Sequence, residues 1–115
     1  MSSVLVTNDL LFSSQAAGAA TTAAVEIRVV GALDQLLDAE PRPALVLLDL
    51  SMPGLDPSAD VPRVRAAMPG AAIVAYGPHV HEDRLQQARD AGCTEVLTRG
   101  QMHRDLDRVL RQYAP

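Results

Sequence analysis

Four residues of this chain have the types and the positions of a charge-handling site: Asn8, Asp9, Asp49 and Arg99. Each closes or follows a short apolar run. Val4-Leu5-Val6-Thr7 leads into Asn8-Asp9, Ala44-Leu45-Val46-Leu47-Leu48 leads into Asp49, and Thr94-Glu95-Val96-Leu97-Thr98 leads into Arg99. A further run, Ala71 to Tyr76, ends at Gly77. If the ends of these runs meet in space, two carboxylates, one amide and one guanidinium share one location. Two neighbouring acids repel each other unless a cation lies between them, and the cations on offer are a divalent metal ion or Arg99 itself. All ten basic residues are arginine, so whatever neutralises the acids is not a lysine ammonium.

The elements that must position these residues are legible as an alternation. Five apolar runs, Val4 to Thr7, Val25 to Val30, Ala44 to Asp49, Ala71 to Tyr76 and Thr94 to Thr98, are separated by segments of helical period. Near-continuous apolar strands between helices are the pattern of a parallel sheet covered on both faces. Leu33, Leu36 and Leu37 fall at i, i+3 and i+4, as do Leu106, Val109 and Leu110, so each set marks a helix with one buried stripe. Asp9 is placed to cap the first helix, whose small residues around Gly18 suggest close packing on the sheet. Ser58 is the expected cap of the third, with Pro62 near its start. The fourth opens on His81-Glu82-Asp83 and closes at Gly92.

Ten alternating elements in 115 residues predict a flavodoxin-like, doubly wound α/β fold, a five-stranded parallel sheet of order 2-1-3-4-5 with five helices on two faces. In such sheets ligands sit beyond the carboxyl ends of the strands, which is where Asn8, Asp9, Asp49, Gly77 and Arg99 fall. The length suits one domain spanning 1–115. A net charge of −4 with interspersed arginines gives no basic block for nucleic acid or for an anionic membrane surface. The apolar runs are too short to span a bilayer and no charged leader precedes the first, so the expected setting is cytoplasmic. One cysteine, Cys93, rules out an internal disulfide. No glycine-rich phosphate loop follows a strand, which argues against a small-molecule binder built on the same architecture.

In this order the motifs resemble the receiver domain of response regulators, the CheY-like family, over essentially the whole chain. Val4-Leu5-Val6-Thr7-Asn8-Asp9 is similar to the family's first strand and acidic pair. Asp49 with Leu50-Ser51-Met52-Pro53-Gly54 resembles the phosphoacceptor and its loop. Met68-Pro69-Gly70 before Ile73-Val74, and Ala88 with Asp90-Ala91-Gly92-Cys93, resemble the approaches to the fourth and fifth strands. The resemblance implies Asp49 as phosphoacceptor candidate and a magnesium site from Asp9, Asp49 and the Ser51 backbone carbonyl, with Asn8 adjacent. It also implies a protein partner, either a histidine kinase or a downstream signalling protein, and a docking or homodimerisation face on the fourth helix, fifth strand and fifth helix. No enzymatic activity is expected.

The departures from that family are as specific as the matches. Gly77 stands where the family has the serine or threonine that bonds the phosphoryl group, so the switch hydroxyl is lost. Arg99-Gly100 replaces lysine-proline, and Val96 replaces the aromatic switch residue. A planar, forked guanidinium is no substitute for a compact ammonium, so Arg99 is expected to act as the phosphate-site cation or as an internal partner of Asp49. Asn8 removes one negative charge from the acidic pair, so magnesium binding should be weak. These losses predict an atypical pseudo-receiver acting as a phosphorylation-independent docking module in two-component signalling. A phosphoaccepting single-domain regulator and a small-molecule binder are the alternatives. His79 and His81 form a lone H-x-H, which is a weak zinc signal. Arg84, Arg89, Glu95, Arg104 and Arg108 are the expected exposed charges of the docking face.

Overall fold

The structure is a computed structural model and describes residues 2–115. Its elements run β1 (Ser3–Val6), α1 (Leu10–Ala23), β2 (Ile27–Val30), α2 (Leu33–Leu37), β3 (Leu45–Asp49), α3 (Pro57–Ala67), β4 (Ala72–Gly77), α4 (Glu82–Asp90), β5 (Glu95–Thr98) and α5 (Arg99–Tyr113). The five strands pair in parallel in the order β2-β1-β3-β4-β5, the expected doubly wound arrangement.

Side chains alternate across the sheet, and this sorts the core into two layers. Val4, Val6, Val46, Leu48, Ile73 and Ala75 face α2, α3 and α4, where Leu36, Val61, Val64 and Leu85 meet them. Leu5, Leu45, Leu47, Val74 and Leu97 face the other way, onto Phe12, Ala16 and Ala20 of α1 and Met102, Leu106 and Val109 of α5. The central strands β1 and β3 are buried on both faces, which is why they read as unbroken apolar runs. Parity therefore sends Thr7, Asp49 and Tyr76 toward α1 and α5, and Leu50 and Gly77 toward α3 and α4.

Several local expectations are corrected. The second strand begins at Ile27 because α1 runs on to a left-handed cap at Ala24 (φ 57°), with the Val25 N–H donating to the Ala20 carbonyl. Asp56 rather than Ser58 caps α3. Its carboxylate accepts the Ser58 N–H at 3.0 Å, and Pro57 takes the first helical position, where no backbone donor is needed. Gly18 is exposed with open space around its Cα, so Ala16 and Ala20 make the close approach to the sheet and Gly18 does not. Arg99 opens α5 itself, behind a capping box formed by Thr98 and Gln101. The other caps stand as expected, Asp9 on α1 and Glu82-Asp83 in the first turn of α4, with Gly92 (φ 99°) just past its end. Among the described residues no helix is long and apolar enough to cross a membrane.

Candidate functional site

Thr7, Asp49 and Tyr76 lie side by side at the carboxyl edge of the three central strands, with Asp49 in register with Tyr76. Asp49 is almost wholly buried, and both of its oxygens are held by the chain itself. The Thr7 hydroxyl donates to Oδ2 at 2.6 Å. The Ser51 backbone N–H and hydroxyl donate to Oδ1 at 2.9 and 2.6 Å. A buried carboxylate is tolerated only when its oxygens are satisfied in this way. Thr7 in turn accepts the Asp9 N–H at 3.0 Å, so one hydroxyl joins the ends of β1 and β3.

Tyr76 supplies the floor. Burial, reinforced by the nearby Asp49 charge, holds its phenol protonated far above the ordinary tyrosine range. The neighbouring Thr7 hydroxyl donates to Asp49, and among the described residues the Tyr76 oxygen has no hydrogen-bond partner. Its ring packs on Phe12 with centroids 5.0 Å apart, and Phe12 packs on His103 at 4.8 Å.

Asp9 is engaged on both sides too. One oxygen accepts the Leu11 and Phe12 N–H groups at 3.0 and 3.2 Å, capping α1, and the other accepts Arg99. The Phe12 N–H, with Arg99 also contributing against an opposing burial effect, holds the Asp9 carboxyl below its ordinary range. Arg99 is thus the internal cation of Asp9 and not of Asp49, the pairing expected from the sequence. The physical reason is that Asp49 faces hydroxyl donors beneath the loops, whereas Asp9, at the first turn of α1, lies within reach of the first residue of α5.

The remaining predicted positions are separated or closed. Asn8 is exposed and turns away toward the β2–α2 loop, where its Oδ1 lies so near Gly31 that a Cβ there would sit 3.1 Å away. A Cβ on Gly77 would meet the Leu50 Cβ at 3.3 Å and a Leu85 methyl at 3.7 Å, so the space of a switch hydroxyl is filled by two leucines. His79 and His81 are exposed, and among the described residues no three His, Cys, Asp or Glu side chains are grouped to hold a metal. Cys93 packs against the core, and burial pushes its thiol up to about 11. Arg84, expected on the docking surface, instead turns inward onto the Leu50 and Leu55 carbonyls. The other charges of that face pair with one another: Arg108 with Glu95, which also accepts the Tyr113 hydroxyl, and Arg89 with Glu82.

Similarity to solved structures is extensive in shape and low in sequence. The receiver domain of NtrX from Brucella abortus matches with a TM-score of 0.83 at 21% identity, over 96% of this chain and 95% of that one. The BeF3-activated DrrB receiver domain matches at 0.81 with 12% identity, over 96% and 94%. This chain has the receiver fold. A further receiver match, from the sensor histidine kinase PA1611 of Pseudomonas aeruginosa PAO1, has a TM-score of 0.80 at 18% identity over 97% and 95%, and it carries a magnesium ion in its active-site cleft. No protein-family model matches the sequence, and no curated protein does.

Set on the receiver fold, the carboxylates here would hold a divalent cation only weakly as arranged. A hard cation needs several free oxygens, and the four carboxylate oxygens of Asp9 and Asp49 already accept Arg99, two helix N–H groups, Thr7 and Ser51. An ion there would compete with Arg99 and Thr7 for the Asp9 and Asp49 Oδ2 oxygens, each of which accepts one hydrogen bond. Of the sequence-predicted site, Asp9 and Arg99 come together, Asp49 and Ser51 come together through the serine hydroxyl and N–H, and Asn8, Gly77, His79 and His81 stand apart. Thr7, Tyr76 and Arg84 were missed by sequence reading. Strand parity carries the signal for the first two, since Thr7, Asp49 and Tyr76 are the last inward positions of their strands on the α1 and α5 side.

Proposed function

We propose that this chain is a receiver-type module of two-component signalling that works as a phosphorylation-independent protein-docking domain. The observation that carries the reading is that both oxygens of the buried Asp49 are already engaged by the chain, Thr7 and Ser51 donating to them at 2.6 to 2.9 Å. Phosphoryl transfer to an aspartate is mostly positioning and charge neutralisation, so an acceptor needs an accessible oxygen, a metal on one side and a fixed cation with a donor on the other. Here the cation is spent on Asp9, the donor position is closed by leucines, and the acceptor is almost wholly buried. A ligand that makes no differential contacts shifts no conformational equilibrium, which deprives a phosphoryl group of its leverage even if it were attached.

In this reading the protein is not an enzyme, magnesium binds weakly, and the partner is a protein rather than nucleic acid or membrane. The fourth helix, fifth strand and fifth helix remain the favoured contact face, including for a second copy of the chain. Its charges are largely paired internally, Arg104 with Asp105 included, so specificity there falls to shape and to the outer faces of α4 and α5. The test is labelling with acetyl phosphate and magnesium, followed by intact-mass measurement. The expected result is a protein that stays unmodified while an ordinary receiver is labelled. Near-complete labelling that disappears in Asp49→Ala would overturn the reading in favour of a phosphoaccepting regulator.

A further inference from the structure

Arg84 occupies the third residue of α4, within the turn where the helix dipole favours acids and disfavours a cation. Its two neighbours Glu82 and Asp83 obey that preference and Arg84 does not, so a contact outside the helix has to compensate. That contact is with the loop after β3. Nε and Nη2 donate to the Leu50 carbonyl at 3.0 and 2.6 Å, and Nη2 also donates to the Leu55 carbonyl at 2.7 Å. Leu50 and Leu55 are buried and lie at the two ends of the loop between β3 and α3. Buried carbonyls need partners, and one forked guanidinium serves both ends of the loop.

An independent apolar contact joins the same elements. The Leu50 side chain leaves the end of β3 toward α4 and fills, with Leu85, the space over Gly77. Leu85 is the residue next to Arg84 and is fully buried. Gly77 is what permits this approach, since any Cβ there would stand 3.3 Å from Leu50. Leu50 is therefore gripped at its carbonyl by Arg84 and at its side chain by Leu85, two consecutive residues of one helix.

We infer that Arg84, Leu85, Leu50 and Gly77 form a latch that makes the β3–α3 loop and the first turns of α4 a single opening unit, fixed in one arrangement without any bound group. The latch accounts for the loss of the switch hydroxyl as a packing requirement. It also sets the orientation of α4 whether or not Asp49 is ever modified, so its test is independent of the docking function. Arg84 is a positioning residue in this scheme.

Native-state hydrogen exchange, read amide by amide on the intact chain, tests the latch. In Arg84→Gln the amides of Leu55 in the loop and of Leu85 and Ala88 in α4 should accelerate together by roughly tenfold or more, as expected for losing charge-assisted hydrogen bonds in a local opening unit. Amides of α1 and α5 should stay unchanged. Arg84→Lys, which retains charge but cannot fork across two carbonyls, should give a smaller acceleration in the same two segments. Gly77→Ala, which presses on Leu50 and Leu85, should raise the same set again. Acceleration confined to the loop or to α4, or a uniform rise across every helix and strand, would overturn the inference.

Discussion

The two sides of the sheet meet the same strand ends with opposite chemistry. Toward α1 and α5 the ends of β1, β3 and β4 present Thr7, Asp49 and Tyr76, a polar cluster in which every carboxylate oxygen is held by a donor of the chain. Toward α3 and α4, one residue further along, Leu50 and Gly77 close on Leu85, with Arg84 at the rim. In this chain the carboxylate oxygens on the polar side accept donors of the chain and the apolar side is packed. What the difference teaches is that a single parity step decides whether a strand-end residue serves charge or packing.

The largest effect should come from breaking the polar side. Asp49→Ala leaves the Thr7 hydroxyl and the Ser51 donors without their buried acceptor, at about 1–3 kcal/mol for each group that cannot reach water. Urea melts should place the total near the upper part of that range. Asp49→Asn keeps an acceptor at one oxygen and should cost less. A loss no larger than that of an exposed carboxylate would mean that the cluster is not what holds β1 to β3.

Breaking the apolar side comes next. Gly77→Thr, which places a hydroxyl at the end of β4, should destabilise by about 1–3 kcal/mol through overpacking against Leu50 and Leu85, with no gain in phosphoryl labelling. An unchanged melt would show that the leucines move aside freely.

Smaller still is the charge pair that bridges the two helices of the polar side. The Asp9–Arg99 pair is partly exposed, so a double-mutant cycle with Arg99→Ala and Asp9→Asn should give a coupling of about 0.2–1 kcal/mol. The matching cycle between Arg99 and Asp49 should give none. Asp9 is held below its ordinary range by the Phe12 N–H first and Arg99 after it, and Glu95 likewise by Arg108 first. Their contributions are complete above the unfolded carboxylate range near pH 4 and are lost as pH falls through the lowered folded values. Tyr76 has the opposite sign, because its raised phenol contributes below about pH 10 and stability declines as the unfolded phenol ionises. Tyr76→Phe removes an oxygen that has no partner among the described residues, so it should be nearly neutral at pH 7 and should flatten the alkaline limb of the stability profile. A loss of several kcal/mol at pH 7 would reveal a hydrogen bond not present here.

The strand order was legible because the two central strands are buried on both faces and so read as unbroken apolar runs, with helical stripes between them. Asp49, Asp9 and Arg99 were legible as strand-end residues, since their positions follow from the runs before them. The partner of Arg99 was not. Sequence spacing places all three residues at one edge, but parity and the reach of each side chain decide the pairing, and these turn on where β3 ends relative to α1 and α5. Gly77 read as a missing hydroxyl because a sequence records what a residue lacks and not which leucines fill its space. Arg84 read as a surface charge because it follows Glu82 and Asp83 in a polar segment, and only the loop after β3 brings the Leu50 and Leu55 carbonyls under it. Asp56 displaced Ser58 as a cap because Pro57 is suited to the first helical position, which moves the cap one residue ahead of it.

The central claim is that the chain's own donors hold Asp49 and leave it no role as a phosphoryl acceptor. The most direct measurement is an amide NMR titration of the intact protein with beryllofluoride in the presence of magnesium, which together present a phosphoryl-like group and its metal to an available carboxylate. The amides of Asp49, Ser51, Gly77 and Arg99 should stay in place throughout the titration. Saturable shifts at those amides, abolished in Asp49→Asn and spreading into α4, would contradict the account.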